Sequence, residues 1–167
     1  MNWNRFYTVA AVVVGVLSLA GTASAQKSKE DKIMQALRAA PAGLAASAAV
    51  KDWDGTVLRS GTNGYSCYPG PEHMPDSPMC FDAVWEEWGA AWMGKKPFKT
   101  DKVGMAYMLM GDNGSSNLDP YAEGPTDDND WVVEGPHLMI LVPDPKMLDA
   151  VSTDPYSGGP YVMWKGT

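Results

Sequence analysis

The first 25 residues constrain the rest most strongly. Met1 to Arg5 are a short polar start with one positive charge, and Phe6 to Ala20 are apolar apart from Thr8, Gly15 and Ser18. Ala23-Ser24-Ala25 then puts small residues before Gln26, and charge follows at once in Lys27-Ser28-Lys29-Glu30-Asp31-Lys32. This is the layout of a cleaved secretory leader, because only small side chains fit the subsites of the leader peptidase. The alternative is an uncleaved anchor, since residues 6–25 are uncharged for 20 positions, just enough to span a bilayer. No cysteine stands at the cleavage point, which argues against a lipid anchor, and no later segment is long and apolar enough to cross a membrane. The chain is therefore expected to be exported and soluble, periplasmic or secreted, with residues 1–25 as signal peptide and no membrane contact after cleavage.

Removing 25 of the 167 residues leaves 142, enough for one hydrophobic core and short for two. A single domain over 26–167 is expected. An exported chain folds under oxidising conditions, where two cysteines usually pair. Cys67 and Cys80 are the only two, so one intramolecular disulfide is predicted. It closes a loop containing Pro69, Pro71, Pro75 and Pro78. A reactive thiol at Cys80, placed near a helix start at Ser77-Pro78, is the alternative; the C-x-x-C spacing of redox pairs is absent.

The composition is that of a folded globular chain, 45% hydrophobic and 20% charged. Net charge is −7, becoming −8 once Arg5 leaves with the leader. Such a surface repels phosphate backbones, so nucleic acid is excluded as an expected partner.

Ser28-Lys29-Glu30-Asp31 has the form of a capping box opening a helix limited by Pro41. The alanine-rich stretch from Gly43 to Ala49 is either a further helical turn or a linker. Ala49-Val50 and Thr56 to Arg59 flank Asp52-Trp53-Asp54-Gly55 as a hairpin, and Tyr65 to Tyr68 read as a short strand. A second helix is predicted from Ser77-Pro78 to Gly94, with Phe81, Val84, Trp85, Trp88 and Trp92 on one stripe and Asp82, Glu86 and Ala90 opposite. That stripe reads as a core face, with a sugar-stacking platform as the alternative. Val103 to Met110 is apolar on both faces, as expected of a strand inside its sheet. Gly111 to Asp130 reads as a long polar loop. Trp131 to Glu134 and Leu138 to Val142 read as strands, Pro145 to Val151 as a short helix and Tyr161 to Lys165 as a last strand. Helices and strands do not alternate regularly. The expected class is α+β, one compact domain with a mostly antiparallel sheet, two or three helices and one disulfide.

No nucleophile elbow, zinc-protease motif, phosphate loop or dinucleotide fingerprint is present, and no cofactor is implied. His73 and His137 are the only histidines. His137, after Gly135-Pro136 between two predicted strands, is the better candidate for a base, with Asp112, Asp119 or Ser116 as partners. Candidate binding residues are His137, Asp112, Asn117, Asp119 and Trp131. The Asp/Asn-rich stretch Asp112-Asn113, Asn117, Asp119 and Asp127 to Asp130 is a candidate oxygen-ligand set for calcium, though side-chain-capped turns explain it equally well. Ten of the 11 methionines survive cleavage, and His73, Met74 and Met79 are candidate copper ligands. The favoured expectation is a non-catalytic binding or structural domain of the cell envelope, for a small polar ligand such as a sugar. The alternatives are a small hydrolase or metal-dependent enzyme using His137 and the Asp112–Asp130 loop, and a copper-binding protein.

Gly61-Thr62-Asn63-Gly64 with Cys67, Pro78-Met79-Cys80, Tyr107-Met108-Leu109, Ser116-Asn117 with Asp119-Pro120, Gly135-Pro136-His137, and Gly158-Gly159-Pro160 with Met163-Trp164 together resemble a family of small exported bacterial proteins of uncharacterised activity. The resemblance runs from about Ala39 to the last residue. It implies a leader, a Cys67–Cys80 pair and one compact domain, and brings no activity with it. Similar proteins continue past the equivalent of Gly166-Thr167 with a short segment containing Pro, Tyr and His. If this chain is truncated there, a terminal strand and a partner for His137 are missing; whether Thr167 is the natural end stays open.

Overall fold

The computed structural model describes residues 27–165, so the expected leader and its cleavage site lie outside the described residues. Helix α1, Lys29–Ala36, starts where the capping box predicts. Ser28 Oγ accepts the Asp31 N–H at 3.1 Å, and the Asp31 carboxylate accepts the Ser28 N–H at 3.3 Å. One 3-10 turn, Leu37–Ala39, and the short helix α2, Ala42–Ala45 after Pro41, complete this helical layer.

Six strands follow in one sheet: β1 Ala49–Lys51, β2 Val57–Arg59, β3 Ser66–Tyr68, β4 Met79–Phe81, β5 Gly104–Met108 and, at the far edge, His137–Leu141. Between β5 and that edge strand the chain makes a separate two-stranded sheet of β6 Ser115–Ser116 and β7 Trp131–Val132, so the edge strand is β8. Strand order in the main sheet is β2-β1-β3-β4-β5-β8, antiparallel throughout except for β1 against β3. With helix α3, Ala83–Met93, the class is α+β, as the sequence predicts.

Register assigns the faces. Val50 pairs with Cys67, Cys67 with Cys80 and Cys80 with Tyr107, which puts these side chains on one side of the sheet. Cys67 and Cys80 are joined in a disulfide, and both are fully buried. Against them pack Ala36, Ala39, Ala40 and Ala48, with Ile33, Leu37 and Leu44 at the margin. The alanines let the helical layer approach the sheet closely. The other face carries Phe81, opposite Ala106, and it meets α3: a Cβ at Gly104 would stand 2.9 Å from Val84 Cγ1.

Four local expectations are corrected. α3 begins at Ala83, not at Ser77, because Asp82 caps it. Asp82 accepts the Trp85 N–H at 2.9 Å and, with its other oxygen, the Met105 N–H at 2.7 Å, fixing the helix start to β5. Cys80 thus lies in strand β4 and is bonded to Cys67, which leaves no thiol there, and Phe81 reaches the tryptophan stripe from β4. Glu86, placed opposite the apolar stripe, turns toward the sheet and accepts from Lys51 Nζ and the Tyr68 hydroxyl at 2.7 and 2.6 Å. The Gly111–Asp130 loop contains β6. Over Tyr161 to Lys165 only one bridge forms, between Ser152 and Tyr161. Among the described residues no helix is long and apolar enough to cross a membrane.

Candidate functional site

β5 and β8 end together, Met108 opposite His137, and the chain segments leaving and entering them close over that end of the sheet. Gly111 turns the chain at φ +75°, where a side chain would collide with the Glu134 carbonyl oxygen at 2.7 Å. The turn delivers Asp112, whose backbone N–H donates to Glu134 O at 3.0 Å. One Asp112 oxygen accepts from Gly114 N at 3.0 Å and Glu134 N at 2.9 Å. Both backbone groups of Glu134 are thereby tied to Asp112, its carbonyl to the Asp112 N–H and its N–H to the Asp112 carboxylate, although 22 residues separate them. Gly135-Pro136 then turns the chain so that His137 comes back beside Glu134.

The result is a half-buried group of three ligand-type side chains: one ligand atom from each of Asp112, Glu134 and His137 lies within 4.8 Å of the others. His137 Nδ1 is 2.8 Å from Gly135 O. A carbonyl only accepts, so Nδ1 carries the proton and a neutral ring has its lone pair on Nε2. That lone pair faces Glu134 Oε2 at 3.9 Å. Tyr161 completes the surroundings. Its hydroxyl is buried and feels the charge of Glu134 without the geometry of a full hydrogen bond. Burial pushes the Tyr161 pKa up, and the charges of Glu134, Asp112 and Asp130 push it further.

Of the five residues nominated from sequence, His137 and Asp112 meet here, and Asn117, Asp119 and Trp131 do other work. Asn117 donates to Asp130 Oδ2 at 2.8 Å and to Thr153 O at 3.0 Å. Asp119 accepts the Tyr121 N–H at 2.8 Å, capping its own turn. Trp131 lies against Gly114, where a Cβ would stand 2.1 Å from its Nε1. Ser116 Oγ is fully engaged, donating to Asn129 O at 2.6 Å and accepting from the Leu118 and Asp119 N–H groups. Asn129 spends its amide on Gly124 O and Thr126 N. The acidic and amide residues considered for calcium are thus distributed along the turns they cap. In the proline-rich loop His73 is exposed, Met74 donates its N–H to Pro71 O, and Met79 lies in β4 opposite Tyr68.

The stripe on α3 belongs to a longer run of rings. Trp53, Tyr68, Phe81, Trp85, Trp88, Trp92 and Tyr121 touch in succession, with centroids 4.8 to 6.2 Å apart, and Trp164 stacks on Trp88 at 5.9 Å. Trp85 is buried and Trp88 and Trp92 are half-buried, so the rings pack chiefly on one another. Among the described residues, open depressions include one of about 590 Å³ beside Leu118, Glu123 and Asp128 and one of about 400 Å³ beside Glu87 and Lys99. His137 lines neither.

Glu134 and Tyr161 escape the sequence reading. Glu134 sits three residues before His137 across a Gly-Pro turn, a spacing that could have flagged it, whereas Tyr161 carries no local signal. The fold and site define a disulfide-braced α+β domain with an acid–imidazole cluster at one end of its sheet. Comparison with family models, with curated proteins and with solved structures finds no match.

Proposed function

We propose that this chain is an exported, non-catalytic binding domain of the cell envelope, whose small polar ligand is held at the Asp112–Glu134–His137 end of the sheet. The convergence of those three side chains carries the reading. They are held on a rigid frame, half-buried, and among the described residues neither carboxylate pairs with a lysine or arginine. Acceptors gathered in this way favour a ligand that brings positive charge or hydrogen-bond donors. The buried disulfide fits folding in an oxidising compartment. Against the hydrolase alternative, the Oγ of Ser116, one of the partners offered for His137, already donates to Asn129 O and accepts from the Leu118 and Asp119 N–H groups.

Native mass spectrometry of protein released from the envelope of the producing cell tests the reading. The expected species begins at Gln26, is lighter than the dithiol by two hydrogens, and carries a small bound mass that His137→Ala removes without unfolding the domain. A protein that retains residues 1–25, or a bound mass indifferent to His137→Ala, overturns it.

A further inference from the structure

We propose that the cluster is a divalent metal site of the zinc class, with His137 Nε2, Glu134 and the free oxygen of Asp112 as its three protein ligands. The three side chains present an electrostatic mismatch. The Nδ1–H bond to Gly135 O leaves the Nε2 lone pair pointing among two carboxylates. Nε2 and Glu134 Oε2 are 3.9 Å apart, too far for a hydrogen bond, and with Nε2 unprotonated two acceptors face each other, which is unfavourable without positive charge between them. A bound cation resolves that repulsion.

The surroundings match those of a metal site in two further ways. A metal-ligating histidine typically donates its other ring N–H to a carbonyl or carboxylate, which fixes tautomer and ring orientation, and Gly135 O fills that role. The ligating carboxylates are in turn held by hydrogen bonds, as Asp112 is by the N–H groups of Gly114 and Glu134. Nε2 and Glu134 Oε2 are 3.9 Å apart and all three ligand atoms lie within 4.8 Å of one another, against roughly 3.4 Å between donors around tetrahedral zinc, so binding would draw the three side chains together. One imidazole nitrogen with two carboxylate oxygens favours zinc over calcium or magnesium, which prefer oxygen alone, and over Cu(I), which prefers sulfur. Three protein ligands leave a coordination position open to water or to a donor atom of a small ligand.

The inference names the ligand class of the site proposed above and rests on that reading. The test uses purified, oxidised full-length mature protein and Zn(II) alone, in competition with a chromogenic chelator. The expected result is one Zn(II) per chain, bound at least tenfold more weakly by His137→Ala and by Glu134→Gln, and unchanged in Asp119→Asn. Glu134→Gln leaves the backbone bonds to Asp112 intact, so it separates ligation from folding. In the Co(II)-loaded protein, the paramagnetically shifted imidazole proton should vanish in His137→Ala. Zn(II) binding that both variants leave unchanged overturns the proposal. If the wild type takes no Zn(II) yet carries an organic mass sensitive to His137→Ala, the metal falls and the binding reading stands; if it carries neither, both fall.

Discussion

Glu86 shows how one side chain can be drawn away from the role its helical position suggests. On α3 it occupies the polar side of the stripe, yet Lys51 Nζ and the Tyr68 hydroxyl both donate to its Oε1. Burial alone would raise its pKa, but the hydrogen bonds from Lys51 and Tyr68 and the Lys51 charge outweigh that and leave it below the ordinary 4.5. A carboxyl with a depressed folded pKa stabilises the fold above its unfolded pKa, and the contribution disappears as pH falls through the folded value. Glutamine at this position does not titrate. The stability advantage of the wild type over Glu86→Gln, from urea unfolding, should therefore be greatest near neutral pH and shrink from about pH 4.5 downward. A gap that stays constant from pH 7 to pH 3 would show that the Glu86 charge contributes nothing to the fold.

Elements show where sequence and structure part company. The β3–β4 pair is so short that its ladder alone is marginal, and the Cys67–Cys80 bridge joins directly opposed residues at its centre. Closing a loop with a sequence separation of 13 should contribute about 3 kcal/mol by restricting the unfolded chain. The double variant Cys67→Ala/Cys80→Ala, which buries no new polar group, should lose about that much in urea unfolding; a loss under about 1 kcal/mol would mean the helical layer alone holds β3 to β4. The bridge was legible because composition admitted one pairing, and α1 because its capping box is local. The α3 start was less legible: Ser77-Pro78 and Asp82 both have the residue types of a helix start, and only the structure shows that Asp82, tied also to the Met105 N–H 23 residues on, is the cap. The Tyr161–Lys165 segment has strand-like residues but finds only one bridge, since propensity creates no neighbour to pair with. At the candidate site His137 and Asp112 could be nominated by residue type. Their meeting depends on Gly111 at positive φ and on backbone bonds to Glu134, which sequence spacing alone does not specify.

At the scale of the whole molecule, the run of aromatic rings joins the two sheets. It starts at Trp53 on the β1–β2 turn, crosses the main sheet at Tyr68 and Phe81, and follows α3 to Trp92. Trp164 then carries it to the small sheet. Its ring stacks on Trp88, its indole N–H donates to Ser116 O at 2.6 Å, and its backbone N–H donates to Asn117 O at 3.0 Å. Ser116 and Asn117 in turn hold the Asn129–Asp130 side of the loop. A two-residue-per-strand sheet cannot support itself, so its order should depend on this connection more than that of the main sheet does. Trp164→Ala removes the ring and the indole bond, at a cost of roughly 2 kcal/mol for a half-buried tryptophan. Local openings have their own free energies, and those of weakly tied units lie lowest. In hydrogen exchange the amides of Asn117, Leu118 and Asp119 should therefore exchange faster in the variant, while Cys67, Cys80 and Ala106 keep most of their protection. Equal acceleration everywhere would mean the two sheets open as one cooperative unit. Unchanged exchange at Asn117 would mean that the Asp130 contacts alone order the small sheet, and Trp164 would then be a covering residue with no coupling role.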